Sequence, residues 1–293
     1  MKMIPFDIVD VFAEERYQGN QLAVFRHAAG LTPEDMQRIA KETNFAETTF
    51  IISGESVHGG YDVRIFTPDT EVPFAGHPTL GTAYILRREY GHEQTDQLLL
   101  NLKVGQIPVT FEAGGEIWMQ QKPPQFGRTV DRETICGILN LQPEDMADGY
   151  PIQEVSTGLP SLIVPLTSLA AVRKCRIHPE KYSWFLKEQF GANILVFSTE
   201  TYNKANDLNV RVFCDDSGYP EDAATGSANG NLAGYLLKHH FLNRQRLAYR
   251  VEQGYEMQRK SLILVRASGD GAGMDIRVGG QVFPVARGEW LVE

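Results

Sequence analysis

Apolar positions along this chain recur with two periods, and the period changes mark its elements. Alternation with period two runs through Val104 to Phe111, ahead of Gly114-Gly115, and predicts a strand entering a hairpin. Short apolar runs at Leu22 to Phe25, Glu47 to Ile52, Leu162 to Val164 and Ile194 to Phe197 read as further strands. Helical spacing appears at Thr82-Ala83-Tyr84-Ile85-Leu86 and Leu232-Ala233-Gly234-Tyr235-Leu236. Pro33-Glu34-Asp35 opens a helix to about Thr43, and Pro179-Glu180-Lys181 opens another to about Phe190, because proline with an adjacent acid suits a first helical turn.

These elements repeat. Val63-Arg64-Ile65-Phe66 returns as Val210-Arg211-Val212-Phe213, and each copy leads through a turn-rich stretch to a Gly loop and an apolar helix. Gly76 pairs with Gly226 and Ala83 with Ala233 at one constant offset, and each half places a strand, a helix and a second strand upstream in the same order. The class is therefore α+β, with two similar domains, each a curved, mostly antiparallel sheet wrapped around a central helix. Pro123-Pro124 continues neither a helix nor an inner strand, so the polar segment Gln120 to Gly127 is the expected linker. The expected domains are 1–122 and 123–282, with 283–293 returning to the first as a strand.

Composition narrows the function. With 293 residues, 42% of them apolar, each half can fill a core, while a formal charge of −9 with scattered basic residues argues against nucleic acid as a partner. The apolar runs are far shorter than the roughly 20 residues of a membrane-spanning helix. The N-terminus shows no basic segment followed by an apolar block, so the expected location is cytoplasmic. Cys136, Cys175 and Cys214 form no close pair and no metal-ligand spacing with the histidines, which predicts reduced, packed thiols.

The candidate chemistry lies at the Gly loops. A helix start presents N–H groups and partial positive charge, and two of them favour a carboxylate-bearing small substrate. Gly76 and Gly226 permit close backbone approach, and Asp222 or Thr225 is placed to cap the second helix. Glu47 is a lone carboxylate between apolar neighbours in Asn44-Phe45-Ala46-Glu47-Thr48-Thr49-Phe50, where burial would make it a proton carrier near neutral pH; a surface glutamate remains the alternative. His77 and Ser227 follow the two glycines, as a proton-exchanging imidazole and a hydroxyl, or else as ordinary hydrogen-bonding groups. The run Gly269-Asp270-Gly271-Ala272-Gly273 lacks the strand–helix context of a phosphate cradle and reads as a hairpin tip. No cofactor motif is present, which leaves proton transfer as the simplest chemistry.

Taken together, Gly19-Asn20, Glu47-Thr48-Thr49-Phe50, Arg64-Ile65-Phe66-Thr67-Pro68, Glu71-Val72-Pro73-Phe74-Ala75-Gly76-His77-Pro78 and Glu221-Asp222-Ala223-Ala224-Thr225-Gly226-Ser227-Ala228 resemble the PhzF-like family, from about Phe6 to the C-terminus. The resemblance implies the diaminopimelate epimerase fold, with an active site between two pseudo-symmetric halves, and a homodimer. It implies a cofactor-independent isomerisation of the trans-2,3-dihydro-3-hydroxyanthranilate type. Glu47 is then the proton carrier, His77, Asp222 and Ser227 are its supporting polar groups, and Asn20, Gly76, Thr225 and Gly226 belong to the loops that hold substrate. The chain departs from the phenazine enzyme at Cys214-Asp215-Asp216-Ser217, where that enzyme has Ser-Pro-Ala-Tyr, and at Asn229 and Asn231.

Two other readings stay open: a one-base epimerase or racemase of a small amino acid, and a non-catalytic protein that binds a small acid. A two-thiol racemase is disfavoured, because Ala75-Gly76-His77 and Thr225-Gly226-Ser227 contain no cysteine.

Overall fold

A computed structural model describes residues 2–92, 94–189, 192–216, 219–270 and 273–292. The chain divides into two compact units, Met1–Gln120 with Gly279–Glu293, and Gln121–Val278.

In the first unit, Lys2–Val11 pairs antiparallel with both Val282–Val292 and Asn20–Phe25. Asn20–Phe25 then pairs parallel with Glu47–Ile51, which pairs antiparallel with Tyr61–Phe66. Tyr61–Phe66 runs parallel to Gln97–Leu102, and the antiparallel strands Gly105–Phe111 and Ile117–Gln120 complete the order. Parallel neighbours need a crossover, and both are supplied by helices: Pro33–Thr43 joins the first parallel pair and Gly76–Glu89 joins the second.

The second unit repeats this sequence of pairings. Ile152–Ser156 and Pro160–Pro165 are antiparallel, Pro160–Pro165 and Asn193–Ser198 parallel, and Asn193–Ser198 and Leu208–Asp216 antiparallel. Leu208–Asp216 is parallel to Arg246–Gln253, which is antiparallel to Ser261–Ser268. Helices Leu169–Lys174 and Pro179–Trp184 make the first crossover and Gly226–Lys238 the second. The internal repeat is thus a repeat of topology.

In each unit the sheet curls around one helix. Gly76–Glu89 touches the strands at 2–11, 20–25, 47–51, 97–102, 105–111, 117–120 and 282–292, and every residue from Gly76 to Ala83 is buried. Gly226–Lys238 is buried from Gly226 to Leu237. Burial around the whole circumference explains why these helices lack a polar face. On the outer face of the first sheet, Phe25, Phe50 and Phe66 pack with Met36, Ile39 and Ala40 of helix Pro33–Thr43. The matching outer core of the second unit is built on helices Arg132–Leu139 and Leu169–Lys174, and it includes buried Cys175 and half-buried Cys136. Burial pushes the Cys175 thiol up to about 12, so it is a packed and inert group.

Helix Pro33–Thr43 has the expected bounds, begun by a reciprocal Thr32–Asp35 capping box. The expected helix to Phe190 is shorter: its α-helical part ends at Trp184 and a π turn covers Phe185–Gln189, while Phe190 lies outside the described residues. Irregular chain occupies only 121–124 of the expected linker, because Gln125–Val130 forms a strand antiparallel to Ile152–Ser156. That strand is mostly exposed and polar, so hydropathy leaves no trace of it. Strands Ser261–Ser268 and Asp275–Gly280 bound the glycine run, of which residues 271 and 272, like 217 and 218, lie outside the described residues. Among the described residues no helix is long and apolar enough to cross a membrane.

Phe50 is fully buried and its ring stacks on Phe25 at 5.2 Å between centroids. Phe50→Ala should destabilise the protein by about 3–5 kcal/mol, read as a lowered denaturation midpoint in urea with the strand pairings intact by amide exchange.

Candidate active site

Each central helix starts at the end of a hairpin that is clamped in the same way. Arg64 donates Nε to Glu71 Oε1 at 2.8 Å and Nη2 to Oε2 at 2.6 Å, across strands Tyr61–Phe66 and Glu71–Val72. Arg211 makes the same two-pronged pair with Glu221, at 2.9 and 2.7 Å. A planar guanidinium matching a carboxylate at two points fixes direction as well as distance. Arg211 also donates to the carbonyls of Val172 and Cys175, tying the hairpin to the end of helix Leu169–Lys174. In both units the clamped glutamate stands just ahead of the Gly loop.

In the first unit, strand alternation decides which side chains reach the helix start. Thr49 faces the central helix, where Thr82 donates to its hydroxyl at 2.9 Å, while Thr48 faces the other way to Thr43 at 2.8 Å. Period two therefore turns Glu47, the first residue of its strand, to the same side as Thr49 and one step nearer the helix start. There the Glu47 carboxylate lies 3.5 Å from His77 Nε2, with His77 4% and Glu47 20% exposed. Leu22, in register with Glu47, also faces the helix: a methyl group on Gly81 would stand 2.5 Å from its Cδ2. Asn20, two residues earlier, shares that face and is buried. Its neighbour Gly19 has φ +70°, and a Cβ there would meet the Val11 carbonyl at 2.3 Å, so only glycine delivers the chain into this strand.

In the second unit, Asp222 ends the clamped hairpin and accepts a hydrogen bond from the Thr225 hydroxyl at 2.5 Å. Thr225 is the N-cap residue of helix Gly226–Lys238, yet its own side chain makes no cap bond to that helix, and Ala75 makes none to helix Gly76–Glu89. The Thr225 side chain, one of the two expected caps, thus bonds Asp222 instead of the helix. Ser227, buried, occupies the helical position that His77 holds in the first unit.

Two residues outside the sequence-derived set shape this loop. Gln253, 28 residues beyond Thr225, donates Nε2 to the Asp222 carbonyl at 2.9 Å and to Thr225 Oγ1 at 3.0 Å. Asn229 donates to the Thr225 carbonyl at 3.0 Å, as Thr79 does to the Ala75 carbonyl at 2.7 Å in the first unit. The only sequence signal for Gln253 was a polar pair, Glu252-Gln253, ending an apolar strand. Both are buried, because alternation sends Glu252 to the 202–209 loop, where it accepts from Tyr202, Asn203, Asn206 and Asn209, and Gln253 to the opposite side. Asn231 replaces the helix-packing glycine of the first unit and instead holds Thr157, Leu159 and Ser161.

A carboxylate and an imidazole within ion-pair reach, beside a helix start, can take up and return a proton while an anion is held. The family model described as phenazine biosynthesis-like protein matches residues 9–288. The chain belongs to this family. Its relatives include an uncharacterised isomerase of Pasteurella multocida, 36% identical over 98% of this chain and 94% of the relative. Another is the trans-2,3-dihydro-3-hydroxyanthranilate isomerase of Pseudomonas aeruginosa, 33% identical over 90% of each chain. The crystal structure of a PhzF-family phenazine biosynthesis protein of Bacillus anthracis matches with a TM-score of 0.90 at 30% identity, covering 100% of both chains. The reaction class of the chain is isomerisation.

The Arg64–Glu71 clamp gives a pH test. The hydrogen bonds from Arg64 hold the Glu71 carboxyl below the ordinary glutamate value, and Lys103 adds to the effect. A carboxyl lowered in the folded state stabilises the fold above its unfolded pKa of about 4.3 and loses that contribution as pH falls through the folded value. Thermal melts of wild type and Glu71→Gln should therefore differ most at neutral pH and converge below about pH 4.

Proposed function

We propose that this protein is a cofactor-independent isomerase that moves a proton on a small unsaturated amino or hydroxy acid, of the trans-2,3-dihydro-3-hydroxyanthranilate type. The observation that carries the reading is the Glu47–His77 pair, 3.5 Å apart at the start of a buried helix. The name of the Pseudomonas aeruginosa relative supports the substrate class.

In this mechanism the Glu47 carboxylate takes a proton from a C–H bond, and the electron pair released is spread over the conjugated system. Protonated Glu47 then returns the proton at another carbon, so that the product is an isomer and the glutamate is regenerated. His77, Asp222 and Ser227 are the polar partners of the substrate. Asn20, Gly76, Thr225 and Gly226 hold it, the two helix starts favouring its carboxylate and the charge that develops during transfer. Serine and histidine after the two glycines, in place of thiols, favour one carboxylate working as base and then acid. A homodimer completes the proposal, and light scattering should return twice the chain mass.

Proton NMR in deuterium oxide tests the chemistry. Wild type should convert trans-2,3-dihydro-3-hydroxyanthranilate with deuterium entering the product, and Glu47→Gln, which keeps shape but loses the base, should be slower by about 10²–10⁴-fold. Full activity in Glu47→Gln would sink the mechanism; deuterium uptake with inversion and no double-bond shift would identify an epimerase instead.

A further inference from the structure

Gln253 ends strand Arg246–Gln253 and is 0% exposed, and its side-chain bonds go to Asp222, Thr225 and Asn229, in the loop and first turn of helix Gly226–Lys238. Backbone partners fix which way its amide points. The Thr225 N–H can only donate, and it lies 3.2 Å from Oε1; the Asp222 carbonyl can only accept, and it lies 2.9 Å from Nε2. The other Nε2 proton must then go to Thr225 Oγ1, at 3.0 Å. Since an amide nitrogen gives no lone pair, the Thr225 hydroxyl cannot donate back to it and directs its own proton to Asp222 Oδ2, at 2.5 Å. Asn229 donates to Oε1 at 3.0 Å and reinforces the same orientation. The strand end also touches the loop backbone: Gly254 has φ +75°, and a Cβ there would meet the Ala223 carbonyl at 2.6 Å.

We propose that Gln253 is a positioning residue that orients the Asp222 carboxylate through the Thr225 hydroxyl, by a one-way chain of donors that makes Oδ2 an acceptor. The chain is peculiar to the second unit, because Ala75 and Val72 stand in the first loop where Thr225 and Asp222 stand in the second. The inference rests on the proposed function only in taking Asp222 as a group that meets substrate.

Gln253→Glu keeps the acceptor for Thr225 N–H and Asn229 but removes the donor; Thr225→Val cuts the chain one link later and leaves the Gln253 bonds to backbone in place. Each should lower kcat about 10–100-fold, and in Gln253→Glu, which is remote from the substrate, KM should change little, as misplacement of a catalytic group does. Thr225→Ser, which restores the hydroxyl, should return kcat to near wild type, and the double variant should be no worse than the worse single one, since both changes break the same chain. Wild-type kcat in folded Gln253→Glu or in Thr225→Val overturns the proposal. If wild type itself converts no dihydro-hydroxyanthranilate, the isomerase reading fails by itself, and Gln253 is then judged by the Asp222 side-chain carboxyl carbon resonance, assigned with Asp222→Asn. Gln253→Glu and Thr225→Val should both move that resonance while Thr225→Ser leaves it in place; an unmoved resonance in Gln253→Glu overturns the proposal.

Discussion

A helix buried on every side is the constraint from which the rest of each unit follows. Apolar surface all round the helix needs a sheet that bends around it, and the two parallel pairings, each made by a helical crossover, give the sheet its order. Such a helix keeps unpaired backbone N–H groups only in its first turn. In both units a bidentate arginine–glutamate clamp fixes the chain just before that turn, and the N-cap residue's own side chain does not cap it. Framework and helix start are thus parts of one arrangement.

The framework is symmetric while the chemistry on it is not. Arg64 and Arg211, Glu71 and Glu221, and the glycines at 76 and 226 do the same work twice. Beside them, His77 faces a strand-borne carboxylate, whereas the second unit carries Asp222 bonded to Thr225 and a serine at the histidine position. One half thus carries a carboxylate–imidazole pair and the other a carboxylate bonded to a hydroxyl. Duplicated backbone geometry supplies the two helix starts, and a few side-chain differences distinguish them.

Much of the fold was legible in the sequence because it depends on periodicity and local steric rules. The Pro-initiated helix at 33–43, the hairpin after Phe111, the internal repeat and the special loops at Gly76 and Gly226 are all consequences of near neighbours in the chain. Local pattern left Glu47 and His77 each with an ordinary alternative, and it was the resemblance of the motifs around them that joined the two across 30 positions of chain. Where the pattern was weak, as in the exposed strand Gln125–Val130, the reading failed for lack of an apolar face.

The sequence by itself determined the repeated order of elements, the two glycine helix starts and the identity of the polar residues beside them, since these are set by spacing and residue type. Tertiary structure alone decided that Glu47 lies within reach of His77, that Thr225 binds Asp222 instead of capping its helix, and that Gln253 directs both. Such contacts depend on strand register and on which face each side chain takes, and a single residue of register would reverse every one of those faces.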